Sequence, residues 1–194
     1  MSASLVWLGF LPVVAFLCFD SPVAPRRGLW AALALGAMEA GAALAYASGA
    51  PDIASLGAFA VLAGLVALSL RTGDSFYFKI HGPIINALTA LVLLGAWYIF
   101  NRALLLDVAL KEVGLERLAA ANPSVGKDAV AEMLRLLSLH LPWWLLLHAL
   151  LTVYAAANWG KWAWAFVRIP GFFVMLFLAS NFAGAAALGP AASP

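Results

Sequence analysis

Apolar positions along the chain gather into continuous stretches and show none of the strict alternation of a half-buried strand. Six such stretches cover residues 5–19, 28–48, 53–70, 80–100, 141–157 and 169–188, separated by clusters of charge, proline and glycine. Most approach the ~20 residues that a helix needs to cross a hydrocarbon core of about 30 Å. The first is shorter and is interrupted by Pro12. A segment inside lipid must satisfy its own backbone, and the alternating segments of a β-barrel are missing, so the stretches are predicted to be helices. The expected fold class is all-α: a polytopic integral membrane helix bundle with about six membrane-embedded helices, forming one transmembrane domain. Pro142 and Pro170 open the fifth and sixth stretches, where the first turn of a helix tolerates a missing N–H.

Residues 101–139 form the one long polar interruption. The pattern predicts a helix over 101–119 continuing out of the fourth stretch, with Asp107 and Lys111 four residues apart. Asn122-Pro-Ser-Val-Gly126 breaks it. Asn122 or Ser124 is placed to cap a second helix carrying Lys127, Asp128, Glu132 and Arg135. Leucines and valines recur between these charges at helical spacing, so the region reads as an amphipathic extramembrane helical hairpin on the membrane surface. A docking site for a partner is the alternative.

Composition sharpens the picture. Of 194 residues, 65% are hydrophobic and 10% charged, against roughly 45–50% and about 25% in soluble domains. This excludes a soluble enzyme, a disordered chain and a secreted disulfide scaffold. The single cysteine, Cys18, excludes an internal disulfide, and a net charge of +2 is no nucleic-acid footprint. The first nineteen residues hold no Lys or Arg, so the segment lacks the basic start of a cleaved signal peptide and is expected to stay in place. Orientation is not encoded in loop charge. With six spans, one side carries Arg26, Arg27, Arg71, Lys79, Lys161 and Arg168, and the other Arg102, Lys111, Arg117, Lys127 and Arg135.

Glu39 falls near the middle of the second stretch and His148 near the middle of the fifth. Ionisable groups at bilayer depth face protein or water and often mark function. Glu39 is flanked by the small-residue rows Ala32-Gly36-Ala40 and Ala37-Gly41-Ala45-Gly49, which permit close helix approach. Structural packing, with Glu39 protonated or hydrogen-bonded, is the plainer reading, and a proton or substrate site the sharper one. Contact between Glu39 and His148 is the expected arrangement, with Asn86 and Thr152 as competing acceptors. His81 and His140 begin the fourth and fifth stretches, but no ligand spacing for a metal or haem is present. No metal, cofactor or catalytic residue is predicted. Trp159, Lys161, Trp162, Trp164 and Arg168 form an interfacial signature, mirrored by Trp143 and Trp144 at the other end of the fifth stretch. Asp74, Lys79 and His81 form a charged lip between the third and fourth stretches. There Lys79 and His81 are expected to meet lipid phosphates, with Asp74 capping the next helix or pairing with Lys79 or His81.

The segment Asp74-Ser-Phe-Tyr-Phe-Lys-Ile-His-Gly-Pro-Ile-Ile-Asn-Ala-Leu88 resembles the signature of the bacterial intracellular septation protein A family. That signature has an Asp, an aromatic-aliphatic-Lys triplet, a second basic residue, Pro-Thr and a paired-isoleucine helix start. Asp74, Tyr77-Phe78-Lys79 and Ile84-Ile85 fit, while His81 stands where a second Lys is usual and Gly82-Pro83 replaces Pro-Thr. Phe10-Leu-Pro-Val-Val14 is similar to the family's N-terminal start, and Trp164-Ala-Phe-Val-Arg168 with Gly171 to its run before the last span. The resemblance implies a non-catalytic, multi-pass protein of the bacterial inner membrane. Such a protein supports envelope maintenance and septation through contacts with lipids and other membrane proteins. An accessory subunit of a larger membrane complex and a small proton-coupled transporter using Glu39 and His148 are the competing expectations.

Overall fold

A computed structural model describes residues 10–21, 24–46, 53–120 and 126–188. The described residues are helical, with one isolated bridge between Ser21 and Ala24. In chain order the helices are α1 (Leu11–Phe19), α2 (Pro25–Tyr46), α3 (Ile53–Thr72), α4 (Phe76–Lys79), α5 (His81–Tyr98), α6 (Leu104–Glu112), α7 (Leu115–Ala120), α8 (Lys127–Asn158), α9 (Lys161–Arg168) and α10 (Pro170–Leu188). Five helical segments are long and apolar enough to cross a membrane: Arg26–Ala45, Ser55–Thr72, Phe76–Tyr98, Lys127–Asn158 and Lys161–Ala187. Of the first expected span, residues 5–9 lie outside the described residues, Phe10 is the N-cap, and the rest is the nine-residue α1.

Local chemistry explains the boundaries. Gly73, at φ 76°, ends α3 as its N–H bonds the Ser69 carbonyl at 2.9 Å, a left-handed stop that glycine adopts without a Cβ penalty. The Asp74 carboxylate then accepts the Phe76 N–H at 2.8 Å and starts α4. Pro170 is the first residue of α10, as its fixed φ favours.

Two expectations are corrected here. The fourth stretch does not run on into 101–119. Helix α5 ends at Tyr98, and Asn101 adopts φ 51° while the Arg102 N–H folds back to the Ala96 carbonyl at 2.9 Å. Asn tolerates this left-handed conformation better than most residues with a Cβ. Gly114, at φ 80°, makes a second break between α6 and α7. Asp107 accordingly pairs with Arg102 at 3.0 Å, not with Lys111. Nor does Pro142 open a helix. It lies inside the 32-residue α8, which runs from Lys127 to Asn158. The cost is one main-chain bond, since Pro142 offers no N–H to the Ser138 carbonyl. The expected caps Asn122 and Ser124 lie outside the described residues.

The chain divides into two compact units. The first, residues 1–85 and 152–169, has a core of Val13, Phe16, Leu29, Ala32, Leu62, Val66, Phe78, Ala155, Ala156, Trp164 and Ala165. Its centre is aromatic: the Phe16 ring lies 4.5 Å from Phe78, and Trp164 meets both at 6.2 Å. Offset and edge contacts of this kind suit the quadrupoles of the rings. The second unit, residues 86–151 and 170–194, centres on Ala90, Leu93, Leu145 and Met175.

Candidate functional site

Polar side chains inside an apolar bundle are costly unless partnered, which makes their environments the natural place to look for a site. In the first unit, α2 presents Glu39 half-buried to a small cavity of about 80 Å³, shared with Gly36, Phe59, Leu62 and His81. The row Ala32-Gly36-Ala40 is buried, and a Cβ at Gly36 would overlap the Leu62 side chain, so the missing side chain is what admits α3. The neighbouring row Ala37-Gly41-Ala45 is exposed instead, with nothing within 4 Å of a Cβ at Gly41. Residue Gly49 of that row lies outside the described residues. Glu39 Oε1 is buried and makes no hydrogen bond among the described residues.

The expected Glu39–His148 hydrogen bond is therefore not made at that oxygen. His148 belongs to the second unit, where it is buried and its Nδ1 lies 3.0 Å from the Asn86 side-chain nitrogen. Phe172 stacks edge-on against the imidazole at 5.6 Å. Asn86, expected in the same intramembrane polar site as Glu39 and His148 and as a competing acceptor, is a partner of His148. The amide nitrogen donates, so Nδ1 of His148 accepts.

The lip divides in the same way. Asp74 accepts the Phe76 N–H at the start of the short α4 rather than capping α5, and no salt bridge joins it to Lys79 or His81 among the described residues. Lys79 is half-buried. His81 does not face a headgroup layer: it is 6% exposed, and its ring lies 5.1 Å from that of Phe78. Its Nδ1 sits 2.7 Å from the Phe78 carbonyl, which can only accept, so that nitrogen carries the hydrogen.

The expected aromatic belt separates into two faces of α9. Trp162 and Phe166 on one face, and Trp159 just ahead of the helix, are exposed. Trp164 and Arg168 are buried, a correction with a plain geometric cause. Lys161, Trp164, Ala165 and Arg168 occur at positions i, i+3, i+4 and i+7 and share the inward face. Lys161 is half-buried, and its Nζ donates to the Asp20 carbonyl at 2.6 Å and approaches Asp20 Oδ2 at 3.3 Å. Arg168 lies over the Phe10 ring at 5.7 Å, and its guanidinium fills the space a Cβ at Gly82 would need. At the other end of the fifth stretch, Trp143 is exposed, while Trp144 is half-buried against the second core.

Sequence reasoning passed over Ser69 and Asp20. Ser69 is fully buried and its Oγ accepts the Phe78 N–H at 2.8 Å. No spacing signal joins Asp20 to Lys161, because only tertiary folding brings them together. Among the described residues no group of three or more His, Cys, Asp or Glu is placed to hold a metal. Comparison with family models, with curated proteins and with solved structures finds no match.

Proposed function

We propose that the chain is a non-catalytic, multi-pass protein of the bacterial inner membrane, of the septation protein A type, acting through contacts with other membrane proteins. The observation that carries this reading is the exposed small-residue row of α2, Ala37-Gly41-Ala45. Its twin Ala32-Gly36-Ala40 is covered, which illustrates what such a row does when a helix lies on it. In this reading residues 5–19 form a sixth membrane-embedded segment. The charged start of α8 stands outside the hydrocarbon, since 32 residues make a helix of about 48 Å against a core of about 30 Å. Lys127, Asp128, Glu132 and Arg135 all lie in its first third. With α6 and α7 they form the amphipathic surface element.

A photo-crosslinker placed at Gly41 of the full-length protein in native membranes should capture one defined membrane protein. The same group at Leu44, another exposed position of α2 beside the row, serves as the control. Equal, diffuse labelling from both positions would remove the support for this reading. Capture in fixed stoichiometry within a large assembly would favour the accessory-subunit alternative.

One observation favours a second reading, a small proton-coupled carrier. Glu39 shares its cavity with His81, so the acid–base pair of such a carrier would be Glu39 and His81, with His148 assigned to Asn86. Proton uptake by reconstituted vesicles that disappears in Glu39→Gln would support it, and unchanged uptake would end it.

A further inference from the structure

The first unit contains a second, larger cavity, of about 490 Å³, lined by Asp20, Ser21, Arg26, Ser69, Ser75 and Lys161 among others. We propose that it is a binding site for a phosphate group, presented by an anionic lipid headgroup or free in solution. The inference is independent of the proposed role in septation and rests only on residues of this pocket.

Charge is the first argument. Arg26 and Lys161 face one carboxylate, Asp20, and Asp20 is engaged in holding Lys161 through both its main-chain oxygen and Oδ2. Arg26 is exposed and makes no salt bridge among the described residues. The second argument is the placement of these cations. Arg26 lies in the first turn of α2 and Lys161 opens α9, and neither helix has an acidic residue in its first turn. The N-terminus of a helix is already the positive end of its dipole. Cations there add to that field instead of opposing it, an arrangement that favours an anion bound between them. Third, Ser75 brings a hydroxyl to the wall, a donor that suits a phosphate oxygen. The Ser75 hydroxyl makes no capping bond to the α4 backbone.

Location and size agree. Two of the apolar spans begin at Arg26 and Lys161 and a third ends at Thr72, beside Gly73 of the pocket wall. Span ends lie at headgroup level in a bilayer, where basic pockets between helices take lipid phosphates. The volume falls within the range of small-molecule clefts.

The test uses the full-length protein purified in a neutral detergent. Thermal unfolding is followed during titration with phosphatidylglycerol, phosphatidylcholine or inorganic phosphate, and lipid retention is counted by native mass spectrometry. Phosphatidylglycerol should raise the midpoint and be retained, while phosphatidylcholine should do neither. Arg26→Gln should weaken the phosphatidylglycerol effect about fivefold, the factor one basic residue contributes near a membrane surface. Arg71→Gln, an exposed cation outside the pocket, should leave it unchanged, and Lys161→Arg should preserve it. If inorganic phosphate at millimolar concentration reproduces the shift and the lipid does not, the phosphate source is free anion. If only the lipid acts, it is the headgroup. Equal responses of Arg26→Gln and Arg71→Gln, or no response to either phosphate source, would overturn the site. Should Arg26→Gln fail to fold, Ser75→Ala provides the same discrimination: weakened binding supports the site, and unchanged binding overturns it.

Discussion

Trp164 and Trp162 stand two residues apart in one aromatic run, yet the fold gives them opposite roles, and their substitution should separate by several kcal/mol. Trp164 is fully buried between Phe16 and Phe78, whereas Trp162 is 66% exposed. Replacing Trp164 with Ala leaves a cavity on the order of 100 Å³, which at about 24 cal/mol per Å³ amounts to about 2.4 kcal/mol. Two aromatic contacts are lost as well, at about 0.5–1.5 kcal/mol each. The expected destabilisation is therefore about 3–5 kcal/mol. In an apolar bundle these are packing terms, so they survive the absence of a strong hydrophobic driving force between helices. Trp164→Phe should be far milder. The indole Nε1 is buried without a hydrogen-bond partner among the described residues, and removing such an orphan recovers about 1–3 kcal/mol, offsetting the smaller ring. Trp162→Ala should stay within about 0.5 kcal/mol, as exposed substitutions do. Steric trapping in bicelles measures all three unfolding free energies. Equal, small losses from Trp164→Ala and Trp162→Ala would refute the division of α9 into a buried and an outer face.

Three further outcomes are expected. Asn86→Leu and His148→Leu should each cost about 1–3 kcal/mol by leaving a buried polar group behind, and the double variant should lose less than their sum, with coupling of about 0.6–1.7 kcal/mol; strict additivity would show that the pair is not in contact. Ser69→Ala should destabilise by about 1–3 kcal/mol because the buried Phe78 N–H loses its acceptor, a loss that Ser69→Thr, which keeps the hydroxyl, should largely avoid when thermal unfolding is compared in detergent. The Lys127 ammonium beside Glu116, at 2.9 Å, holds that carboxyl below its ordinary value; since the folded value is the lower one, the contribution is present above the unfolded value and fades as pH falls through the folded one, so amide protection factors in 115–120, with the intrinsic pH dependence of exchange divided out, should fall slightly as pH drops through the carboxylate range, and Lys127→Gln should remove that fall.

Helical identity and the apolar spans were legible because hydropathy and backbone satisfaction act on each stretch alone. Where expectation failed, a neighbour or a single dihedral decided. Pro142 reads as a helix start by local rules, but a membrane helix tolerates an interior proline when surrounding groups meet the freed carbonyl. Asn101 carries a weak left-handed preference, and only its observed φ of 51° shows that it ends the turn after α5. The burial of Trp164 and Arg168 was available in principle. Their four-residue spacing, with Lys161 and Ala165 on the same face, is an amphipathic pattern hidden by the general abundance of aromatics. Asn86 and His148 were visible as polar groups at depth, but which helices adjoin is not written in one sequence. The Asp20–Lys161 contact and the pocket beside it had no local signal at all.

The lip residues acquire a different meaning from the backbone they surround. Between α4 and α5 the helical ladder is interrupted, and Phe78, fully buried beside that junction, is where its polar groups must be satisfied. Ser69 Oγ takes the Phe78 N–H at 2.8 Å, and His81 Nδ1 gives a hydrogen bond to the Phe78 carbonyl at 2.7 Å. Two side chains, from the end of α3 and the start of α5, thus complete both main-chain groups of one residue in a setting where water is scarce. That explains why His81 is inside and Asp74 outside. Asp74 caps the exposed start of the short α4, while His81 serves its buried end. It also limits what His81 can do elsewhere. With Nδ1 committed to the carbonyl, only Nε2 remains for the small cavity it shares with Glu39. Any proton exchanged with Glu39 must therefore pass through that one nitrogen, or through water between the two groups.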